Sequence, residues 1–403
     1  MMAIALCIAA LCTDLYIFAD IRKNFPRRKS ASLGYAIFAV AGWIFVAICL
    51  LLPRRDNESS ISFQMWGLYA FLSLLLPKIV FTLFSLAGAL PRLWKSRGLK
   101  LGKWVGLPLA MVIFTAMWWG AFIGRRQIEV VNVDIVSPRL PDAFEGYRIA
   151  QISDLHVGTW DDDTSFINAF VDSVNACRPD VIFFTGDIVN RQTGELAPFM
   201  KSLSRLHAPD GVYSILGNHD YGDYIDWPSA AEKRDNLQLL KYWQRQLGWK
   251  LLNNTRTQII SGNDTIQIIG VENWGEPPFH QYGHLIDAYP LSPDSLYNLN
   301  DNRFKILLTH NPEHWRREVT GISNIDLSLS GHTHAMQTII GSGKLRWSPA
   351  SMRYELWGGL YKKRNPHGDE MQLYVNIGAG EVGMPFRIGA TPEITILTLH
   401  AEK

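Results

Sequence analysis

Val181-Ile-Phe-Phe-Thr-Gly-Asp187 sets four consecutive apolar residues directly before a threonine, a glycine and a carboxylate. An unbroken apolar run of β-branched and aromatic side chains suits a strand covered on both faces, whereas a half-exposed strand would alternate. Open α/β sheets place their ligand-binding groups at the carboxyl ends of such strands. The same arrangement recurs on either side. Upstream, residues 147–153 read as a strand leading into Asp154-Leu-His156. Downstream, 212–216 leads into Gly217-Asn-His-Asp220, 304–309 into His310, and 325–330 into Gly331-His-Thr-His334. Between the first two strands Phe166, Ile167, Phe170, Val171 and Val174 recur at helical spacing behind Asp163, a candidate cap. The order β-α-β-α-β predicts a layered α/β domain.

An isolated Asp-x-His or a single histidine carries little information. Five blocks of metal-ligand types in order, each at a strand end, carry a great deal. Residues from about 147 to 400 resemble the calcineurin-like metallophosphoesterases, whose pattern is D-x-H, G-D, G-N-H-[DE], H and G-H-x-H. Gly378-Ala-Gly380, Pro385-Phe-Arg387 and Pro392-Glu393 are similar to the membrane-associated or exported branch of that family. The resemblance implies a four-layer αββα sandwich with a two-metal site along one edge of the sheets. It places Asp154, His156 and His334 on one metal and Asn218, His310 and His332 on the second, with Asp187 bridging both. Imidazole, carboxylate and amide donors without thiolate suit Mn, Fe, Zn or Co better than a structural zinc site. Two cations about 3.5–4 Å apart would activate a shared water for in-line attack on phosphorus. His219 would stabilise or protonate the leaving oxygen, with Asp220 fixing its orientation. Two positions depart from the branch: Ala335 and Met336 stand where glycines are frequent, and Asn190 where an acidic residue is frequent. No ligand position is missing.

The front of the chain is of another kind. Residues 1–123 carry 13 Lys/Arg against 4 Asp/Glu, whereas 124–403 carry 26 against 33. A net charge of only +2 over 403 residues gives no sign of a nucleic-acid partner. Four apolar stretches, roughly 3–19, 33–52, 66–90 and 105–123, are each long enough to cross a hydrocarbon core about 30 Å thick. The first lacks the basic leader of a secretory signal peptide and is expected to be retained. Domain boundaries follow: a four-helix transmembrane domain over 1–123, a connector over 124–146 and the phosphoesterase domain over 147–403. Arg22, Lys23, Arg27, Arg28 and Lys29 fill the first loop, and Arg92, Lys95, Arg97, Lys100 and Lys103 the third. Such loops stay cytoplasmic, which puts both termini and the catalytic domain outside the cytoplasm. Arg54 and Arg55 are offset by Asp56 and Glu58 in the second loop, while Arg125 and Arg126 argue weakly the other way. Asp14 and Lys78 are the clear intramembrane charges and are expected to pair, or Lys78 to snorkel, rather than to form an ion path. Cys7, Cys12 and Cys49 lie in apolar runs and leave Cys177 alone downstream, which excludes a disulfide-stapled fold.

These expectations converge on a membrane-bound phosphoesterase acting on a phosphoester or pyrophosphate, in a small molecule, a phospholipid or a nucleotide-linked lipid. A cytoplasm-facing pyrophosphatase of a lipid precursor and a non-catalytic receptor or scaffold are the alternatives. Trp347, Tyr354, Trp357 and Tyr361 either form an ordinary core hairpin or meet the membrane interface or a lipid tail. His207, His280, His284, His314, His367 and His400 are expected to be surface or core residues.

Overall fold

The computed structural model describes residues 2–51, 58–90, 101–288 and 302–402. It divides into one unit of Met1–Ile123 with Gly383–Phe386 and a second of Gly124–Val382 with Arg387–Lys403.

The first unit is built from helices α1 (Met2–Asn24), α2 (Lys29–Leu51), α3 (Glu58–Ala89) and α4 (Leu101–Phe122). Helices satisfy their own backbone polar groups, as a lipid environment requires. Among the described residues three of them, α2 to α4, are long and apolar enough to cross a membrane. Helix α1 has the length but carries Asp14, Asp20, Arg22 and Lys23. Asp14 and Lys78 do pair, at 2.8 Å, and the carboxylate also accepts from Tyr35 Oη at 2.7 Å and Trp43 Nε1 at 3.1 Å. One carboxylate therefore ties α1 to α2 and α3. Helices α3 and α4 approach closely because Gly102 and Gly106 lack a Cβ, which would lie 2.1 Å from Phe84 O and 2.9 Å from Phe84 Cβ respectively. Arg54, Arg55 and Asp56 of the second loop, and Arg92, Lys95, Arg97 and Lys100 of the third, lie outside the described residues.

The second unit holds two six-stranded sheets. The first has the order β1 (Glu129–Ser137), β12 (Glu393–Ala401), β2 (Arg148–Ile152), β3 (Val181–Phe184), β4 (Val212–Ser214), β5 (Lys250–Leu251). The second runs β10 (Gly359–Arg364), β11 (Glu370–Val375), β9 (Leu327–Ser330), β8 (Lys305–Leu308), β7 (Asp264–Gly270), β6 (Thr255–Ser261). Strands β2 to β5 are mutually parallel, as are β7, β8, β9 and β11. Residues 124–146, expected to be a connector with a strand-like run over 128–136, contain β1, which pairs with β12 along nine residues from Glu129↔Glu393 to Ser137↔Ala401.

Three apolar clusters stack the layers. Ile149, Phe183 and Tyr213 from one sheet meet Ile268, Ile306 and Leu329 from the other. Outside the first sheet, α5 (Ser165–Ala176) and α6 (Ala230–Gln246) cover Ile182 and Phe184. Outside the second, Trp315 and Val319 cover Leu307 and Leu373. The result is the αββα sandwich. Strand β3 is buried at all four positions because helix covers one face and the facing sheet the other. Helix α6 starts at the N-cap Ser229, whose Oγ accepts from Glu232 N–H. Helix α5 starts one residue later than the Asp163 cap predicts, with Thr164 as its N-cap, while Asp163 Oδ1 accepts from Ser165 N–H.

Candidate metal centre

The parallel strands β2, β3 and β4 of one sheet and β8 and β9 of the other end at a common edge, so the residues that follow them meet there. Asp154, His156, Asp187, Asn218, His310 and His334 are buried. Three groups of donor atoms come within 4.8 Å of one another: Asp154, His156 and His334; His156, Asp187 and His219; Asp187, His310 and His332. His156 Nε2 lies 3.1 Å from His334 Nε2 and 3.6 Å from Asp187 Oδ2. His334 Nε2 is 3.1 Å from Asp154 Oδ1, and His310 Nε2 is 3.0 Å from Asp187 Oδ2. All seven expected ligand positions are thus in one place.

Backbone geometry aims them. Asp154, His156, Asp187, His332 and His334 all have positive φ, a region that non-glycine residues occupy at a cost and that clusters at functional sites. At Gly331 a Cβ would sit 2.0 Å from Ser153 Oγ and 2.2 Å from Asp154 Oδ2, so only glycine lets β9 bring its histidines against β2. The two sheets are also bonded across the site: His332 N–H donates to the Asp154 carboxylate at 3.1 Å, and His310 Nδ1–H to Thr185 O at 2.8 Å. That second bond fixes the His310 tautomer and turns Nε2 inward. Tyr354 Oη lies 3.3 Å from His332 Nε2, which leaves His332 Nδ1 facing His310.

The charges call for cations. Burial opposes ionisation of Asp154 and Asp187, but the imidazoles around them outweigh it and hold both carboxyls below the usual range. Burial drives His156 well below its ordinary value, and burial with neighbouring His310 takes His332 down to about 3. Among the shifted imidazoles of the site, His310 moves the other way: burial lowers it, yet Asp187 beside it raises it to about 9. Two buried carboxylates thus face a ring of imidazole nitrogens, a donor set that divalent metals would satisfy. Asn218 gives an independent sign. Its Nδ2 donates to Tyr224 Oη at 2.8 Å, while its Oδ1 is buried with no hydrogen-bond partner, as an amide oxygen reserved for a metal would be.

Residues 147–336 match the family model described as calcineurin-like phosphoesterase, and residues 1–125 the model described as probable calcineurin-like phosphoesterase, transmembrane domain. The chain belongs to the calcineurin-like phosphoesterases. Within that family it is similar to the Bacillus subtilis metallophosphoesterase YkuE, 29% identical over 70% of this chain and 89% of the relative. It is similar over more of its length to a transmembrane protein with metallophosphoesterase domain from Danio rerio, 27% identical over 93% of this chain and 82% of the relative. The UDP-2,3-diacylglucosamine pyrophosphatase LpxG of Chlamydia muridarum is 24% identical over 74% of this chain and 97% of its own. A phosphoester hydrolase fused to a membrane domain is therefore the class of this protein.

For this phosphoesterase the structure revises one role. Asp220 does not orient the His219 ring. Its carboxylate accepts from the backbone N–H groups of Asp187, Ile188 and Gly217 at 2.9 Å each and Val189 at 3.3 Å, so it clamps the loops that carry Asp187 and Asn218. Burial and the neighbouring Asp187 charge push Asp220 up to about 7. His219 instead donates Nδ1–H to Asn190 O at 2.6 Å and stacks on Tyr224, with ring centroids 4.3 Å apart. Because the acceptor is a main-chain carbonyl, the Asn190 side chain is not needed for this bond. It reaches Thr159 Oγ1 at 2.9 Å.

Residues outside the five blocks complete the site. Phe279 meets His332 edge-on at 4.8 Å. Arg387 is fully buried, donates to the carbonyls of Ile377, Gly380 and Ala390, and comes within 3.3 Å of His334 Nδ1. The Pro385-Phe-Arg387 motif supplied a signal for Arg387. Tyr224, Phe279 and Tyr354 had none beyond an aromatic in a loop. The core-hairpin reading of Trp347 to Tyr361 holds in part: Leu356, Trp357 and Tyr361 pack in apolar clusters and Tyr361 lies in the β10–β11 hairpin, whereas Trp347 is exposed and short 3-10 turns precede β10. His314, expected outside the site, is a core residue that bonds Thr309 Oγ1 at 2.9 Å and stacks on Trp274.

Proposed function

We propose that Asp154, His156 and His334 hold one divalent metal and Asn218, His310 and His332 a second, with Asp187 shared. The chain then hydrolyses a phosphoester or pyrophosphate bond of a membrane lipid or a nucleotide-linked lipid. The observation that carries the reading is the unpartnered Asn218 Oδ1 beside two ionised, buried carboxylates and inward-facing imidazole nitrogens. Bound there, the cations would polarise the phosphoryl oxygens and acidify a water. His219 has given its Nδ1–H to Asn190 O, and its Nε2 is left for the leaving oxygen. Burial lowers the His219 pKa, so a proton held there is readily given up. Tyr224, Phe279 and Tyr354 narrow the space around the phosphoryl group and limit water.

The lipid part of the reading is supported by the likeness to LpxG, a UDP-2,3-diacylglucosamine pyrophosphatase, and by the fused membrane domain. The test uses the full chain in detergent with Mn(II) and a chromogenic phosphodiester. Wild type should exceed the Asp187→Ala/His332→Ala double variant by at least about a hundredfold. Equal rates across several metals and substrates would establish a scaffold that keeps the fold without turnover.

A further inference from the structure

Met336, two residues beyond His334, begins a segment whose surface chemistry differs from the rest of the second unit. Ile340 and Trp347 pair across a short hairpin, with N–H···O bonds of 2.8 Å in both directions. Leu345 at the hairpin tip is 88% exposed and Met352 is 84% exposed, and Met336, Ile340 and Trp347 are exposed as well. Elsewhere in the described residues of the unit, large exposed apolar side chains occur singly or in pairs along the chain. Scattered residues need no explanation; five within 17 positions do.

The charge of the segment is also distinctive. Residues 335–354 include Lys344, Arg346 and Arg353 and no Asp or Glu, inside a region that is acidic overall. Both ends are pinned to the metal centre. Ser348 Oγ donates to Ala335 O at 2.5 Å, and Tyr354 reaches His332. Apolar side chains interleaved with cations, on a rigidly based projection, are the composition of an interfacial membrane anchor.

We propose that residues 336–352 form a lip that inserts into the surface of an anionic lipid bilayer beside the metal centre. The lip would let a lipid phosphoester enter the site without leaving the membrane. Insertion itself rests on the lip and on the membrane domain, not on the chemistry of the substrate, so it can fail or hold independently of the hydrolase reading.

The experiment places an environment-sensitive fluorescent amino acid at position 345 of the full chain in nanodiscs of equal phosphatidylcholine and phosphatidylglycerol. A control protein carries it at position 260, exposed on β6. Hydrolysis of a soluble phosphodiester by both proteins reads the hydrolase assignment separately. Nitroxide-labelled lipid should quench position 345 about threefold and leave position 260 unchanged, and quenching should weaken in phosphatidylcholine alone. A probe at 345 that stays water-like and unquenched overturns the proposal. So does a blue shift without quenching by lipid, which would mean that a protein surface, such as a second copy of this chain, covers the lip.

Discussion

His219 shows how a catalytic side chain depends on atoms that no motif records. Its anchor, Asn190 O, is a main-chain carbonyl, a group that every residue carries, so the sequence offers no mark for it. His219→Ala should lower kcat about 10²–10⁴-fold while bound metal, measured by elemental analysis, stays at the wild-type level. A parallel loss of metal would make His219 a ligand instead. Glu195 gives a pH-dependent case outside the ligand set. It is buried beneath Asn190, accepting that residue's N–H at 2.6 Å, and burial raises it from 4.5 to about 7. The folded protein therefore favours the neutral acid, and this stability is complete below about pH 4.5 and lost as pH rises through about 7. Glu195→Gln should match wild type in unfolding midpoint near pH 4.5 and exceed it at pH 8, by on the order of 3 kcal/mol. A constant difference between the two proteins across that range would refute the assignment.

Strands and turns decide whether the ligands meet. The five strands that lead to them were legible because layers on both sides bury them almost throughout, with ligand types directly after and β3 apolar at every position. Strand β6, Thr-Arg-Thr-Gln-Ile-Ile-Ser, sits at a sheet edge and is largely polar, so it carries no comparable signal. Strand β12 alternates well, yet its pairing, parallel to β1 and antiparallel to β2, depends on partners more than 240 residues away. Gly331→Ala tests the β9 turn, where the added carbon would meet Ser153 Oγ and Asp154 Oδ2. Metal content and phosphodiesterase activity should both fall at least tenfold, and a fully active variant would show that the turn can move. Arg387→Met removes a buried cation from three carbonyls and should cost about 3 kcal/mol or more in unfolding free energy. The unfolding midpoint in denaturant measures it, and an unchanged midpoint would remove Arg387 from the framework of the site.

At the scale of the whole chain, the membrane and catalytic units impose different rules on the same polypeptide. The first must satisfy every polar group internally, and Asp14 does so with three donors from α2 and α3. The loop charges, ten Lys/Arg in the first and third loops, predict an orientation with residue 403 outside the cytoplasm. An alkaline phosphatase fused after Lys403 should then be active and a green fluorescent protein dark; the reverse pattern would favour the cytoplasm-facing pyrophosphatase. Hydrophobic length, loop charge and residue spacing are local properties, so the sequence alone determined the membrane region, the layered catalytic domain and the seven positions proposed as ligands. The third dimension decided what those residues touch: Asp220 on four backbone amides, Arg387 behind His334, Tyr224 on Asn218, and an apolar lip beside the centre. Such contacts join segments far apart in the chain, and their partners are often main-chain atoms common to all residues. No pattern of side chains along a line encodes them, and packing alone selects them.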